Sequence, residues 1–422
     1  MRHTFNLAWL IVLLVLLSTT LSAKSIFVKV DANPNGANGS HNAPYPTITQ
    51  AIEAARLVAS PGTTIHVAAG TYSQEPLPIQ LDMPHLHLLG TTVLTRDGRG
   101  LATGVAEMTL IEGSSSDIFQ ILADDVHLAG FALRGTGSTT LVRIDGTATG
   151  GIDRVSIQDC LLERGIGIRA QFASGRFEGN LVQNSQAIGV QINGGPAINP
   201  ARIVFYRNRV ILHSLNGVDI HGDAGYLTPP PTKIYVEVSE NDFSQNGSAG
   251  QNVNGLPQFG SGLVFTIDDA DDTNRQAEQI IDAEISANVH DNTFDGNSNY
   301  GLVVNGRIRA PASSARLSFF GSFTHNHYCG NGNNRALFGF TFYARSLKYG
   351  TPAYSQGNTR YFAASNYDLI SVDDGLLQGF DFDNPVLDPD HLAIPLQNHL
   401  TFNGQPIAGT SIQSFRPPGS CP

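Results

Sequence analysis

Short stretches of alternating apolar and polar residues recur along most of this chain, and a turn-forming Asn, Asp or Gly follows most of them. Such alternation predicts β-strands, because successive side chains of a strand point to opposite faces of a sheet. The stretches begin at Val126, Val155, Phe177, Ile203, Val236 and Val289. A second short strand follows in most copies and opens with Gly167-Ile168, Gly189-Val190, Gly217-Val218, Gly262-Leu263 or Gly301-Leu302. A repeat of roughly 20 to 35 residues built from short strands predicts a solenoid.

The fold class that this repeat predicts is all-β, a single-stranded right-handed parallel β-helix. Strands of successive turns then stack in parallel about 4.8 Å apart and enclose an apolar core. We expect Asn and Gly to form the tight corners, because both tolerate the left-handed backbone conformation. Asn side chains at equivalent corners are expected to hydrogen bond along a ladder. A sandwich or propeller would require antiparallel hairpin signals or blade-like repeats, and the sequence shows neither.

The first part of the chain after residue 23 has a different pattern. An amphipathic helix is predicted over residues 49–59, with Thr47 or Thr49 as its N-cap. Its apolar side consists of Ile52, Ala55 and Leu57. A helix at this position can cover the first rung of the rod, whose edge would otherwise expose unpaired backbone groups.

Two motifs flank the helix. They read Pro-Tyr-Pro-Thr-Ile-x-x-Ala-Ile over residues 44–52 and Gly-x-Thr-Ile-x-Val-Ala-x-Gly-Thr-Tyr over residues 62–72. Together they resemble the N-terminal cap and first rung of right-handed parallel β-helix proteins of the pectin-lyase-like superfamily, above all a secreted branch of largely unknown function. The resemblance implies that the helix closes the open end of the rod, and it implies little about activity.

Residues 1–23 carry a basic start, an apolar run and small polar residues, an order that predicts a secretory signal. The apolar run is shorter than the about 20 residues that a spanning helix needs. We therefore expect a soluble secreted protein, extracellular or periplasmic, without membrane contact. The rest of the chain is expected to divide into the cap and first rung (residues 24–72), the β-helix repeats (73–345) and the last rungs with a C-terminal cap (346–422).

Composition narrows the possible partners. The net charge of −11, with charged residues at only 14% of the chain, argues against nucleic acid, which requires a concentrated basic surface. It also disfavours direct capture of an acidic polysaccharide unless a bound cation mediates the contact. The three cysteines, Cys160, Cys329 and Cys421, cannot all pair within one chain. If one disulfide forms, we expect Cys329 with Cys421; the alternative is three free thiols. We expect a monomer.

Aligning the second strands by their glycines predicts which side chains share the outward face of the rod. The first outward column is Arg169, Gln191, Asp219, Val264 and Val303. The second is Gln171, Asn193, His221, Thr266 and Asn305. Slightly beyond the strand ends come Asp223, Asp268 and Arg307.

The candidate catalytic residues in these columns are Asp219, His221, Asp223, Asp268 and Arg307. Asp223 and Asp268 are expected on adjacent rungs, where the carboxylate separation overlaps the range of about 5 to 9.5 Å used by glycosidases. Such a pair could raise the pKa of one carboxyl group or bind calcium, the one cofactor the sequence suggests. His221 could then act as a proton carrier.

Two functional hypotheses follow. Insertions over residues 222–233, 245–260 and 268–281 are expected to form the walls of a groove beside the candidate residues. The leading hypothesis is a protein that binds an extended polysaccharide or cell-surface glycan, with or without cleaving it as a polysaccharide lyase or glycoside hydrolase. The alternative is a non-catalytic surface or matrix protein with a structural or adhesive role. No complete catalytic motif of polygalacturonases or pectate lyases is present, so the sequence leaves this choice open.

Overall fold

The computed structural model describes residues 24–58, 62–194, 201–223, 232–248, 260–268, 281–308 and 315–324, and shorter segments up to residue 406. Within these residues the chain forms strands, numbered β1 to β34 in chain order, and one helix, α1 (Ile48–Val58). No helix in this described part is long and apolar enough to cross a membrane. The predicted signal over residues 1–23 lies outside the described residues.

Three long sheets run along the molecule, and each coil of the chain visits sheets 1, 2 and 3 in turn. Sheet 1 consists of β1 (Ser25–Val28), β2 (Thr64–Val67), β5 (His87–Leu89), β10 (His127–Ala129), β13 (Ile152–Gln158), β16 (Ala173–Glu178), β19 (Ala201–Tyr206), β22 (Thr232–Ser239), β24 (Ile281–His290), β27 (Ala315–Thr324), β32 (Gly375–Asp383), β33 (Thr401–Phe402) and β34 (Gln405–Pro406). Sheet 2 consists of β3 (Gly70–Thr71), β8 (Thr109–Glu112), β11 (Ala132–Arg134), β14 (Leu161–Glu163), β17 (Leu181–Gln183) and β20 (Arg209–Ile211), and it continues through the bridging residue Asp242 to β25 (Thr293–Asp295) and β28 (His327–Cys329). Sheet 3 consists of β4 (Ile79–Leu81), β9 (Phe119–Ile121), β12 (Thr140–Asp145), β15 (Ile166–Gln171), β18 (Val190–Gly194), β21 (Val218–Asp223), β23 (Leu263–Asp268), β26 (Tyr300–Ile308), β29 (Asn334–Ser346), β30 (Ala353–Gln356) and β31 (Arg360–Ala364).

Strands of successive coils pair in parallel from β1 to β29, which confirms the predicted right-handed parallel β-helix. Beyond β29 the pairing becomes antiparallel, as β32 pairs with β27, and β30 and β31 pair with β29. Among the described strands, the parallel coiling therefore ends with β29.

The apolar positions of the alternating stretches fill the interior. The largest fully buried side chains include the phenylalanines Phe119, Phe131, Phe177, Phe205, Phe243, Phe265 and Phe294. Several contact each other from coil to coil, with ring centroids 5.0 Å apart for Phe177 and Phe205 and 5.4 Å apart for Phe243 and Phe294. Because burying one such side chain contributes about 1.5 to 3 kcal/mol, this stack is a main source of stability along the rod.

The corners do use the left-handed backbone, but the residues that adopt it are mostly not asparagine, contrary to our expectation. The non-glycine residues with positive φ are His85, Asp125, Arg154, Asp159, Arg164, Phe172, Asn184, Arg207, Leu212, Glu240, Gln245 and Asp291. Asn is enriched at the next position instead, as in Arg207-Asn208 and Glu240-Asn241. The corner therefore uses asparagine for its amide side chain rather than for a left-handed backbone. Glycine supplies some of the left-handed residues, and the residues named above supply the others.

That amide requirement is met by two ladders of buried side chains, as predicted. At the corner between sheets 1 and 2 the ladder is Asn180, Asn208, Asn241, Asn292 and Asn326. In each step the Oδ1 of one Asn accepts hydrogen bonds from the backbone N–H and the Nδ2 of the preceding Asn, for example 2.8 and 3.0 Å from Asn208 to Asn241. A second ladder, Asn246, Asn297 and Asn331, follows the corner between sheets 2 and 3. These bonds satisfy polar groups that burial would otherwise leave unpaired.

Histidine replaces asparagine at the head of the second ladder. His213 is fully buried, its Nδ1 accepts the N–H of Ser185 at 3.2 Å, and its Nε2 lies 3.2 Å from the carbonyl oxygen of Val182. The repeated glycine explains how these side chains fit, because a Cβ on Gly189 would lie 2.4 Å from Nε2 of His213. On Gly217 it would lie 2.8 Å from Nδ2 of Asn246. The glycines directly before β18 and β21 thus make room for the ladder side chains.

Cys160 occupies the ladder position of the coil before Asn180, as a buried free thiol whose backbone N–H donates to Oδ1 of Asn180 at 3.0 Å. Burial raises the pKa of Cys160 to about 12, so the thiol is unreactive at neutral pH. The predicted disulfide between Cys329 and Cys421 concerns side chains that lie outside the described residues.

The N-terminal cap covers both the backbone edge of β1 and the apolar core at the end of the rod. The backbone of Phe27 in β1 pairs with the loop that follows, donating to Gly39 at 2.8 Å and accepting from Tyr45 at 2.9 Å. Helix α1 buries Ile48, Ala51, Ile52 and Ala55 against the core, whereas Leu57 is 88% exposed and was wrongly predicted to share that side.

The helix N-terminus is capped in two ways. Thr47 accepts the N–H of Gln50 through Oγ1 at 3.2 Å, the ordinary N-cap bond that the sequence predicts. The carboxylate of Glu75 accepts the N–H groups of Ile48 and Thr49 at 2.6 and 3.1 Å. Glu75 thereby ties the cap to the next coil and complements the helix dipole.

Within the parallel coils, an antiparallel hairpin interrupts the predicted all-parallel pattern. Strands β6 (Val93–Arg96) and β7 (Ala102–Glu107) are inserted between β5 and β8 and lie on the outward face of sheet 2. Leu94, Val105 and Met108 cover the apolar side chains of that face. The hairpin turn is bonded to residues of later coils, and Nη1 of Arg99 donates to Oγ1 of Thr293 at 2.8 Å.

Candidate functional site

The strand register of sheet 3 brings the five candidate catalytic residues to three adjacent strands. Asp219 and His221 lie on β21, where the intervening Val218 and Ile220 are fully buried, so both candidate side chains belong to the outward face. Asp223 at the end of β21 pairs with Asp268 on β23, which in turn pairs with Arg307 on β26. The side chains of Asp223, Asp268 and Arg307 lie outside the described residues, so their roles stay predictions.

The outward face of sheet 3 changes character between β21 and β23. Asp219 and His221 are partly exposed, but their neighbours on β23, Val264 and Thr266, are 0% and 3% exposed. Val303, the next residue in the first column, is also buried and packs with Val264. The accessible part of the face therefore extends from β21 toward the N-terminal end of the rod.

A pair of arginines occupies this accessible part. Arg143 on β12 and Arg169 on β15 are directly opposite each other, and both are partly exposed. Nε of Arg143 donates to Oδ2 of Asp117, and Nε of Arg169 donates to Oε1 of Gln191 at 2.9 Å. Each guanidinium is thus held through Nε, and its terminal nitrogens have no hydrogen-bond partner in the described part of the chain.

Arg169 combines partial burial with the lack of an ion pair among the described residues. Most arginines in the described ranges form ion pairs, namely Arg56, Arg96, Arg99, Arg134, Arg143, Arg154, Arg176, Arg207 and Arg209. Arg169 has no carboxylate in contact among the described residues, although it is partly buried. Burial, followed by the neighbouring charge of Arg143, lowers the pKa of Arg169, and Asp117 opposes the shift. The site therefore holds a positive charge that the described side chains do not neutralise by contact.

Sequence reasoning had placed Arg169 in the outward column without giving it a role, and it missed Arg143. The reason is that the strand of Arg143 opens with Leu141-Val142 rather than with glycine, so the glycine alignment does not reach it. Leu141-Val142 occupies the position of Gly167-Ile168 one repeat earlier, and aligning these two pairs would have added Arg143 to the column.

No group of three or more His, Cys, Asp or Glu side chains that could hold a metal ion occurs among the described residues. The suggested calcium ligands Asp223 and Asp268 are adjacent in backbone register, and calcium binding by them stays a prediction.

Comparison with known proteins identifies a family and a set of similar folds. Residues 32–256, more than half of the 422, match a family described as "Protein of unknown function (DUF1565)". No curated protein has a sequence that matches this chain.

Three solved structures illustrate the structural similarity. The mannuronan C-5 epimerase AlgE6 A-module of Azotobacter vinelandii is 13% identical, with 75% of this chain and 93% of that chain covered and a TM-score of 0.35. A rhamnogalacturonan lyase is 11% identical, with 70% and 77% covered and a TM-score of 0.33. The GH136 lacto-N-biosidase of Eubacterium ramulus is 9% identical, with 76% and 64% covered and a TM-score of 0.33.

The family match takes in helix α1, the arginine pair and the accessible part of sheet 3, all within residues 32–256. This parallel β-helix protein therefore belongs to the DUF1565 family of proteins of unknown function.

Proposed function

We propose that the accessible face of sheet 3 binds an extended polysaccharide and that Arg169, together with Arg143, holds an anionic group of that ligand. The observation that carries the proposal is the partly buried Arg169, whose guanidinium contacts an amide and no carboxylate of the described chain. A desolvated cation of this kind is stabilised when an anion binds, so the site favours a ligand that supplies one.

The geometry supports recognition of a carboxylate or a sulfate ester. Both guanidinium groups are anchored through Nε, by Asp117 and by Gln191, which leaves the paired terminal nitrogens for a ligand. A planar guanidinium binds such oxyanions through two parallel hydrogen bonds, and two arginines on strands about 4.8 Å apart can share one anion. The net charge of −11 suggested the opposite preference, but a local arginine pair outweighs a distant average charge that salt screens.

The remaining polar groups of the face extend the proposed site along the rod. Gln191 and Asn193 on β18 and Asp219 and His221 on β21 follow Arg169 at successive strands. A chain lying across the strands would meet a hydrogen-bonding side chain at each step. The buried Val264 marks where this series ends.

Chemistry on the bound chain is the finer part of the proposal. Asp219 and His221 would be the residues nearest the sugar, with His221 moving a proton and Asp223 and Asp268 acting as a carboxylate pair or as calcium ligands beside Arg307. Such residues suit hydrolysis or β-elimination. Binding by the arginine pair does not depend on this step.

A structural or adhesive role remains the second candidate, and one observation favours it. Asp117 with Arg143, and Arg169 with Gln191, bond side chain to side chain between neighbouring coils, as stacked polar residues do on a structural rod. This role differs from the first in that ligand binding would occur without any turnover.

Titration of the purified protein with a panel of acidic and neutral polysaccharides tests the binding proposal. We expect an acidic polysaccharide to bind, and Arg169→Ala to weaken that binding by on the order of tenfold. The matched control is Arg154→Ala, because Arg154 is exposed and pairs with the adjacent Asp153 at 3.1 Å. Equal affinity of Arg169→Ala and the unmodified protein, or no binding anywhere in the panel, would contradict the proposal.

A separate assay decides between enzyme and adhesive protein. New reducing ends and the ultraviolet absorbance of unsaturated products are followed with and without calcium on the polysaccharide that binds. An enzyme is expected to lose turnover but keep binding in Asp219→Asn and His221→Gln. Binding of the unmodified protein without any product would favour the structural role.

A further inference from the structure

Two histidines face each other on the outward side of sheet 1, away from the site on sheet 3. His87 on β5 and His127 on β10 are directly opposite in the register. The residues that follow them, Leu88 and Leu128, are fully buried, so both imidazoles point away from the core. Their ring centroids lie 5.5 Å apart, with the ring planes at 52°.

The nitrogen atoms of this pair are not committed elsewhere. In the described part of the chain neither imidazole forms a hydrogen bond or an ion pair, and each contacts the other ring. Other described histidines are engaged differently, since His85 pairs with Asp125 at 2.6 Å and His290 pairs with Glu237 at 2.8 Å. Two adjacent imidazoles with free nitrogen lone pairs can both serve as ligands of one transition-metal ion.

The separation of the rings fits a shared metal ion. In a tetrahedral site with metal–nitrogen bonds of about 2.0 to 2.1 Å, the centroids of two bound imidazoles are about 5 Å apart. The observed centroid distance of 5.5 Å is close to that value, and the His87 side chain is exposed and therefore has room to reorient. Because the backbone register already holds the two residues opposite each other, little ordering is needed for both to bind one ion.

We infer that His87 and His127 together bind one divalent transition-metal ion of the Zn²⁺ or Ni²⁺ type. Imidazole nitrogens suit these ions and not the hard cations Ca²⁺ and Mg²⁺, which take oxygen ligands. No third His, Cys, Asp or Glu side chain completes a cluster in the described residues, so water fills the other positions.

The column continues with a serine on the far side of His127 from His87. Ser156 lies directly opposite His127, and its hydroxyl is shielded from solvent without a hydrogen-bond partner. Because His127 lies between this serine and His87, Ser156 is not a ligand of an ion held by the two imidazoles.

Isothermal titration of the full chain with ZnCl₂ and with NiCl₂ tests the inference. We expect one saturable ion per chain, and His87→Ala and His127→Ala should each weaken its binding by on the order of tenfold or more. His85→Ala is the matched control, because His85 is a neighbouring exposed histidine whose ring is held by Asp125. Titration with CaCl₂ should give no signal that depends on His87.

Two further readouts keep the result unambiguous. Circular dichroism checks that each variant is folded, and the more conservative His127→Gln replaces His127→Ala if the latter unfolds. Substoichiometric Cu²⁺ should broaden the proton signals of both imidazoles before those of His85. Unchanged metal affinity in the folded His87 and His127 variants, or no saturable binding by the unmodified chain, would overturn the inference.

Discussion

Sheets 2 and 3 share one backbone repeat, yet their outward faces differ in composition and exposure. On sheet 2 the first outward column is Leu110, Ala132, Leu161 and Leu181, and the hairpin of β6 and β7 covers it. On sheet 3 the corresponding column is Arg143, Arg169, Gln191 and Asp219, and it is partly exposed. A covered apolar column adds to the free energy of unfolding, whereas an open polar column adds little and leaves groups for a ligand. The outward residues, rather than the solenoid backbone, thus decide which face serves stability and which serves binding.

The covered face also links coils that a solenoid would otherwise leave independent. In a simple solenoid each coil contacts only its neighbours. Here Arg99 in the hairpin turn bonds to Thr293, 194 residues later in the sequence. Asp242, whose side chain is only 5% exposed, pairs with Arg209 at 3.0 Å under the same turn. We therefore expect the hairpin to make distant coils unfold together.

The largest expected effect comes from truncating a side chain on the covered face. Leu161→Ala should lower the free energy of unfolding by about 3 kcal/mol, because the hairpin holds its position and a cavity remains. The matched change on the open face, Gln191→Ala, should cost about 1 kcal/mol, because it removes one hydrogen bond to Arg169 and leaves no cavity in the core. Urea unfolding followed by circular dichroism measures both. Similar losses for the two variants would contradict the division between a stabilising face and a binding face.

The second largest effect is a pH dependence of stability from His213, at the corner between sheets 2 and 3. Burial lowers the pKa of His213 to about 3, so the unfolded chain, with a histidine pKa near 6.5, takes up the proton first. Stability from this group is complete above about pH 6.5 and falls as the pH drops toward 3, by about 2 kcal/mol between pH 6.5 and 5. His213→Asn restores the ladder residue and should remove this part of the acid dependence.

Unfolding free energies of the unmodified protein and His213→Asn at several pH values between 7 and 5 check this prediction. Parallel pH profiles for the two proteins would show that His213 is not the responsible group.

A smaller effect is expected from the contact that ties the hairpin to later coils. Arg99→Ala removes the bond to Thr293 and should cost about 1 kcal/mol, because the arginine is more than half exposed. It should also make thermal unfolding less cooperative, which differential scanning calorimetry detects as a broader transition. Arg154→Ala, at an exposed ion pair without a long-range partner, serves as the control. An unchanged transition width in Arg99→Ala would show that the hairpin does not couple the coils.

The smallest effect should be a gain in stability at a corner residue. Leu212 precedes His213, is 42% exposed and has a φ of 62°, a conformation unfavourable for a side chain with a Cβ. Leu212→Gly should therefore raise the free energy of unfolding by about 0.5 kcal/mol, after the entropy cost of glycine is subtracted. The same unfolding measurements apply. A loss of stability would mean that the apolar contacts of Leu212 outweigh its backbone strain.

Some features of the repeating coils could be predicted from the sequence, and others could not. The period-two alternation predicted the parallel strands, and the recurring asparagines predicted the ladders, because both follow from local patterns that repeat in register. The same reasoning misassigned the left-handed positions, since Arg207 and Asn208 are adjacent and the repeat alone does not say which of them has positive φ. It also missed the hairpin of β6 and β7, whose apolar residues have no partner until sheet 2 is assembled.

The candidate site divides in the same way. The glycine alignment placed Asp219 and His221 on the outward face, where the structure has them, because strand parity is a property of the sequence. It also placed Gln191 beside Arg169, but it could not predict that Arg169 lacks a carboxylate partner, because that depends on Asp117 bonding to Arg143 instead.

The sequence by itself determined the coil, its period, its apolar core and the side chains available on each face, because these follow from alternation and from the residue types at the corners. Only the tertiary structure decided which outward column is covered, which cation is left without a counter-charge, and which histidines meet. Those outcomes depend on contacts between residues far apart in the chain, and such contacts exist only once the coils have stacked in a definite register.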